Sequence, residues 1–390
     1  MSIDGFQKLS YICYTNYDAR FLNSWSNVPF FFAETLKAEK GKEHVFIDSI
    51  FPKPGLSSFL FKVLNRFWSI LFRGTLHSFH RSLAFRIITN HRIEKMCKRH
   101  SPLDVLIVFT YSYLPKVKQK TVLFCDWPLW YELLYHQKRK PSFFERMDIR
   151  NEDRNIVGSD YVITFFPYVY EKLKERYNNA KNIYYIGHFI NSTIQTTEND
   201  LSRFIKIKKA SSRILFIGGP HYRQAAISLI KVVEKINTLK GIELSVDVVG
   251  LKEEQAVKSR CANYYGYLDK SNEKHAKKYY ELMEGARVII NNTENWSSAS
   301  SIIEALSFGT PFILCFNENI NKLLTGGEGF GIYIDNSPQS LENAIWKMVS
   351  LKDEEYSKMA EKAWTFVNGW TWKNYITKMI ALIETENGDI

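Results

Sequence analysis

Residues 286–314 read ARVIINNTENWSSASSIIEALSFGTPFIL, and the rest of the chain is organised around this stretch. Val288, Ile289 and Ile290 form a short apolar run that predicts a buried strand, and Phe312, Ile313 and Leu314 predict the next one. Between them Ile302, Ile303, Ala305 and Leu306 give a helix its apolar face, with Glu304 pointing elsewhere. Ser297, Ser298, Ser300 and Ser301 lie at or before that helix's start, where hydroxyls cap unpaired N–H groups. Gly309 ends the helix and Pro311 forbids its continuation. The order is therefore strand, polar turn, helix, Gly-x-Pro turn, strand. In α/β proteins a helix start at the carboxyl end of a parallel strand is where phosphate binds. A carboxylate just inside, Glu304, is placed to accept hydrogen bonds from ribose hydroxyls; the other reading is a solvated helix residue.

Length and composition frame this stretch. The 390 residues suit two domains of ordinary size, and 45% hydrophobic with 15% aromatic residues describes a globular chain. A net charge of +11 and a pI near 9.2 favour anionic partners such as phosphorylated substrates, nucleic acid or an anionic membrane surface. The five cysteines (Cys13, Cys97, Cys125, Cys261, Cys315) have no paired or zinc-type spacing, which points to a reducing compartment. No leader-like apolar segment is visible near the N-terminus, and the run Phe67 to Phe72 is far too short to span a bilayer, so the expectation is a cytoplasmic chain, either soluble or lying on the inner face of the membrane.

Taken in order, Leu9–Thr15, a helix over Phe30–Lys40 and Val45–Asp48 read as a βαβ opening. The turn after the first strand carries Asn16, Trp25, Ser26 and Asn27. Val105–Phe109 and Thr121–Phe124 are further short strands. The second runs into Asp126, either a site residue at a strand's carboxyl end or a turn residue before Pro128. Residues 191–212 are polar and read as a linker. Arg213–Ile217 then opens a second half and runs into Gly218-Gly219-Pro220-His221-Tyr222-Arg223. Glycines between strand and helix let backbone N–H groups approach phosphate, and Arg223 is suited to bidentate phosphate contact or is a solvated helix-start arginine. Helices near 340–350, 354–367 and 372–386 close the chain.

Residues 59–100 stand apart: nine lysines and arginines face Glu94 alone, interleaved with phenylalanines, Trp68 and four histidines. Leu60, Leu64, Phe67 and Leu71 keep helical spacing, with Lys62 and Arg66 on another face. Two readings stay open: ordinary helices packed on a sheet with a solvated basic face, or a basic amphipathic element that docks on an anionic membrane through Trp68 or Phe72. Nucleic acid is disfavoured because no recognised module accompanies the charge.

The element order resembles the retaining glycosyltransferases of the GT-B fold that carry a Glu-x7-Glu signature (the family 4 type). Glu304-Ala305-Leu306-Ser307-Phe308-Gly309-Thr310-Pro311 matches the second half of their motif. The first half departs, because Trp296 stands where a glutamate is usual and Glu294 lies two residues earlier. The resemblance implies an α/β chain of two Rossmann-like domains facing across a cleft. Residues 1–191 would be the acceptor domain, 192–212 the linker, 213–368 the nucleotide-sugar domain, and 369–390 a helix crossing back. It implies sugar transfer from a nucleotide-sugar to a glycan or lipid-linked acceptor in polysaccharide or glycolipid synthesis. Asp126, Arg223 and Glu294 would then be catalytic. Gly218, Gly219, Arg223, Ser297, Ser298, Ser300, Ser301 and Glu304 would hold the donor, and Asn16, Trp25, Ser26, Asn27 and Asp126 the acceptor side. No Asp-x-Asp motif is present, so neither a metal nor a cofactor is expected. A nucleotide-sugar epimerase of the same fold and a non-catalytic basic binding protein are the rival readings.

Overall fold

The structure is a computed structural model that describes residues 9–16, 18–22, 27–52, 55–294 and 299–385. The chain divides into two compact units, residues 1–189 with 372–390, and residues 190–371.

The first unit holds six parallel strands: β1 (Tyr11–Thr15), β2 (Val45–Ser49), β3 (Val105–Val108), β4 (Lys120–Phe124), β5 (Tyr161–Ile163) and β6 (Ile183–Tyr184). Their order across the sheet is β2-β1-β3-β4-β5-β6. The central strands β1 and β3 are buried throughout. That is the burial expected of parallel strands covered by helices on both faces, and it explains their uninterrupted apolar runs. The connecting helices are α1 (Val28–Lys40), α2 (Leu56–Leu71), α3 (Leu83–Cys97), α4 (Leu129–Tyr131, continuing as a wider turn to His136), α5 (Phe143–Gly158) and α6 (Pro167–Arg176).

The second unit repeats the scheme with β7 (Arg213–Ile217), β8 (Ser245–Val249), β9 (Ala262–Gly266), β10 (Val288–Asn291), β11 (Phe312–Cys315) and β12 (Gly331–Ile334), in the order β12-β11-β10-β7-β8-β9. Counted within the unit, this is the 3-2-1-4-5-6 order of dinucleotide-binding sheets. Its helices are α7 (Glu198–Lys209), α8 (Arg223–Lys240), α9 (Glu273–Gly285), α10 (Ser300–Leu306), α11 (Glu318–Leu323), α12 (Pro338–Val349) and α13 (Asp353–Val367). Gly309 closes α10 at φ +63, and a Cβ there would meet Leu201 Cδ1 at 2.6 Å. Both the left-handed backbone and the close approach call for glycine.

Two readings of the sequence change here. The polar stretch 191–212, whose composition reads as a linker, carries α7, with Thr197 and Asp200 forming a capping box. Leu201, Phe204, Ile205 and Lys208 are buried at i, i+3, i+4 and i+7, so the segment belongs to the second unit's core. Among the described residues, the N-cap position of α10 is held by Ala299 rather than a serine, and Ser300 and Ser301 are the helix's first two residues; Ser297 and Ser298 lie outside the described residues.

The last helix, α14 (Trp372–Thr385), belongs to the first unit and buries Trp372, Tyr375, Ile376, Met379 and Ile383. Trp372 stacks on Phe189 with ring centroids 3.9 Å apart and meets Phe32 of α1 edge-on. Glu384 accepts from the Tyr11 hydroxyl at 2.9 Å and pairs with Lys40. Trp372→Ala is therefore expected to cost about 3–5 kcal/mol, as for other buried aromatic truncations. Urea unfolding followed by circular dichroism measures this; a loss below about 1 kcal/mol would mean that α14 is not part of the first unit's core.

Candidate functional site

In a parallel sheet, ligands gather at the carboxyl ends of the strands where the strand order reverses direction. In the second unit this point lies between β7 and β10. The loop after β7 carries Gly218 and Gly219, and the chain then turns through Pro220–Tyr222 into α8, whose first residue is Arg223. Gly218 is buried, and a Cβ on Gly250 would meet the Gly218 carbonyl oxygen at 2.6 Å, so the loops after β7 and β8 approach backbone to backbone. The Arg223 side chain is exposed and has no acidic partner among the described residues. The loop after β10 carries Asn292 and Glu294. Asn292 Nδ2 donates to the Ala225 carbonyl of α8 at 3.2 Å and ties the two loops together, while its buried Oδ1 has no partner among the described residues. Glu294 is exposed, and its carbonyl accepts from Asn317 Nδ2. Ser297 and Ser298 lie outside the described residues.

Glu304 is neither solvated nor free. It is 3% exposed, and both of its oxygens accept from Lys270 Nζ, at 2.6 and 2.7 Å. The Tyr279 hydroxyl donates to Oε2 at 2.9 Å. Lys270 also donates to the Asn191 carbonyl at 3.2 Å and lies over the Tyr279 ring, 4.4 Å from its centroid. This pair joins the loop after β9, helix α9 and helix α10. Neither Lys270 nor Tyr279 was singled out from the sequence. Lys270 stands in a polar turn before a helix, and only the fold carries it to a glutamate 34 residues away.

The first unit has its own reversal, between β1 and β3. A cavity of about 240 Å³ opens at the strand ends there, lined by Asn16 after β1, Thr110 after β3 and Asp126 after β4, with His80, Arg81 and Glu132. Its size suits a compact polar group rather than a large apolar ligand, since drug-sized sites run to ~300–1,000 Å³. Two sequence-selected residues, Asn16 and Asp126, thus line one cavity. Asn27 does not; it sits at the N-cap of α1 in a left-handed conformation. Trp25 and Ser26 lie outside the described residues. Asp126 Oδ1 accepts from the Trp127 amide at 2.9 Å and from Cys125 Sγ at 3.2 Å.

The cavity's floor rests on α5, which buries Glu145, Asp148 and Glu152 on one face. Glu152 pairs with Arg81 and accepts from Ser112 Oγ at 3.0 Å and the Leu129 amide at 2.7 Å. Asp148 meets His77 Nδ1 at 2.6 Å. Glu145 receives the Arg139 guanidinium and the Leu76 amide. Three buried acids at i, i+3 and i+7 on one helix need partners, and they find them in residues 76–81, in Arg139 and in the donors of Ser112 and Leu129. Burial, with Arg81 and His77 nearby, pulls the His80 pKa down to about 3, so this imidazole faces the cavity neutral at pH 7.

No protein-family model matches the sequence, and no curated protein matches it. Solved structures do. A sucrose-phosphate synthase from Thermosynechococcus elongatus is similar over 98% of this chain and 100% of its own, with a TM-score of 0.64 at 13% identity. A glycosyltransferase from Rickettsia africae has the same coverage and TM-score at 14% identity. HepE of Anabaena, determined in complex with UDP and glucose, is similar over 96% of this chain and 99% of its own, with a TM-score of 0.57 at 12% identity. At these identities the likeness is one of fold: the chain has the α/β architecture of GT-B glycosyltransferases, with two parallel six-stranded sheets and flanking helices.

Two outcomes follow from the geometry. Removing one member of a buried ion pair strands the other, which costs about 3–5 kcal/mol, whereas replacing both with apolar residues is often near neutral. Lys270→Met and Glu304→Leu should each destabilise by that amount and the double replacement by much less; thermal unfolding of the three variants closes the cycle. His80, with a folded pKa below its unfolded value near 6.5, contributes stability present above pH ~6.5 and lost as pH falls toward about 3. The slope from this one group is at most about 1.4 kcal/mol per pH unit, and His80→Asn should remove it. An NMR titration showing His80 charged at pH 6 would contradict the burial argument.

Proposed function

We propose that the chain is a glycosyltransferase that moves a sugar from a nucleotide-sugar to a glycan or lipid-linked acceptor, in polysaccharide or glycolipid synthesis. The observation that carries this reading is the convergence of Gly218, Gly219 and Arg223 with Asn292 and Glu294 at the strand-order reversal of the second unit. Such loops suit a diphosphate. Backbone N–H groups and the start of an 18-residue helix present positive potential, and the exposed Arg223 guanidinium, with no acidic partner among the described residues, adds a cation. As the bond to the donor sugar breaks, negative charge grows on the leaving diphosphate, and these groups stabilise it most at that moment. HepE, of similar fold, was determined with UDP and glucose, which supports a nucleotide-sugar as donor here.

In this reading Glu304 serves the ribose hydroxyls, with Lys270 yielding one carboxylate oxygen when nucleotide arrives. Glu294 takes the part of the first glutamate in the Glu-x7-Glu signature, in a Glu-x9-Glu spacing. On the acceptor side, Asp126 and the neutral His80 line a cavity able to hold and orient a hydroxyl. A retaining outcome of the family 4 type and transfer of a hexose belong to the same proposal.

Calorimetry with a panel of nucleoside diphosphates and their sugar conjugates tests it. One nucleoside diphosphate should bind, and Glu304→Ala should weaken it by about 1.5–3 kcal/mol, the range for a hydrogen bond to a charged group. Arg223→Ala, at an exposed position, should leave the melting temperature unchanged and lower turnover at saturating donor by about 10- to 100-fold. No binding across the whole panel would overturn the reading. Unchanged turnover in Arg223→Ala would take that residue out of the mechanism.

A further inference from the structure

Helix α2 is the most exposed apolar element in the described structure. None of its 16 residues is buried. Leu56 (76% exposed), Phe59 (62%), Leu60, Val63, Leu64, Phe67, Ile70 (67%) and Leu71 all stand open to solvent. At 3.6 residues per turn these positions form one continuous stripe along the helix. The opposite side is held by Phe61 against Phe79 and Phe85, and by Trp68 against Phe72, His77 and Phe79. Trp68 and Phe72 therefore anchor the helix inward and are not the residues that would insert into a bilayer.

The orientation of α2 is fixed from its far end. Residues 76–81, a short turn beyond the helix's end, are clamped by the buried acids of α5 through Leu76, His77 and Arg81. The outer stripe is thus presented by a braced support. Phe144 of α5 meets Phe72 with centroids 4.7 Å apart and adds to the packing that holds the helix's inner side.

Charge selects the occupant. From Ser49 to Ile93 the sequence holds no aspartate or glutamate but seven lysines and arginines. Lys62, Arg66 and Arg73 are exposed and have no acidic partner among the described residues. A second copy of this chain meeting the face by two-fold symmetry would set these cations against each other. Nucleic acid would use the cations but not the apolar stripe. Hydrocarbon beside anionic headgroups uses both, as an in-plane amphipathic helix does. No described helix is long and apolar enough to cross a membrane.

We propose that the outer face of α2, led by Leu60, Val63, Phe67 and Ile70 and flanked by Lys62, Arg66 and Arg73, is a docking surface for an anionic lipid bilayer. The proposal goes beyond sugar transfer and does not depend on it.

Flotation of the full chain with vesicles tests this, using phosphatidylcholine alone and a 7:3 mixture with phosphatidylglycerol. The chain should float with the mixed vesicles, float poorly with neutral ones, and be partly released by 0.5 M salt. Each basic residue near an anionic surface contributes about 1 kcal/mol, roughly fivefold, so reversing Lys62, Arg66 and Arg73 together to Glu should lower partitioning by about 100-fold. Phe67→Gln with Ile70→Gln should remove the part that survives salt. Both variants change only exposed side chains, and melting temperatures equal to wild type confirm that they fold. The proposal is overturned if the chain stays unbound with mixed vesicles, or if folded variants float as well as wild type. A lipid-free dimer that the Phe67→Gln, Ile70→Gln variant converts to monomer, with no vesicle binding, would instead assign the face to a second copy.

Discussion

A parallel strand cannot be joined to its neighbour by a hairpin; it needs a crossover, and both sheet faces end up covered by helices. That constraint shapes each unit of this chain. Once both faces are closed, the open backbone lies at the strand ends, and the order reversal keeps two loops from being drawn away to the same side. In the second unit those loops follow β7 and β10, and they carry the glycines, Arg223, Asn292 and Glu294. In the first they follow β1 and β3, beside the cavity lined by Asn16, Thr110 and Asp126.

Both units also brace connecting segments with buried charge, in different ways. In the second, Lys270 and Glu304 neutralise each other under the loop after β9, with Tyr279 satisfying the remaining acceptor. In the first, three acids along α5 hold the chain between α2 and α3. Such pairs add little net stability compared with apolar packing, because desolvation offsets most of the attraction. They confer geometry: each carboxylate accepts only from donors at set positions, so the loop it holds has one preferred path.

The strands were legible in the sequence because β1, β3, β10 and β11 are buried on both faces and hence continuously apolar. Helix α7 was equally legible, through Thr197, Asp200 and the spacing of Leu201, Phe204, Ile205 and Lys208, but its polar composition hid it. Lys208 is the reason composition misled: a lysine counted as solvent-facing is buried, donating to the carbonyls of Met283 and Ala286 and to Thr310 Oγ1. The Lys270–Glu304 pair was not legible at all. Nothing in either local sequence specifies a partner so far away, and only the sheet order brings the two together.

Helix α2 shows a different limit. Periodicity marks Leu60, Leu64, Phe67 and Leu71 as one stripe, but a helix that is apolar nearly all round offers two stripes and no rule for which is buried. The choice is made outside the helix, by the aromatic cluster of Phe79, Phe85 and His77 and by the acids of α5 that hold the following segment. Arg81 makes the same point. In the sequence it is one more cation in a basic run; in the fold it is committed to Glu152 and cannot serve a surface. The charge left to act at long range is therefore smaller than the composition suggests and more sharply placed, on Lys62, Arg66 and Arg73 beside the exposed leucines and phenylalanines. Net charge describes what a chain attracts, and the buried ion pairs decide where on the surface that attraction is felt.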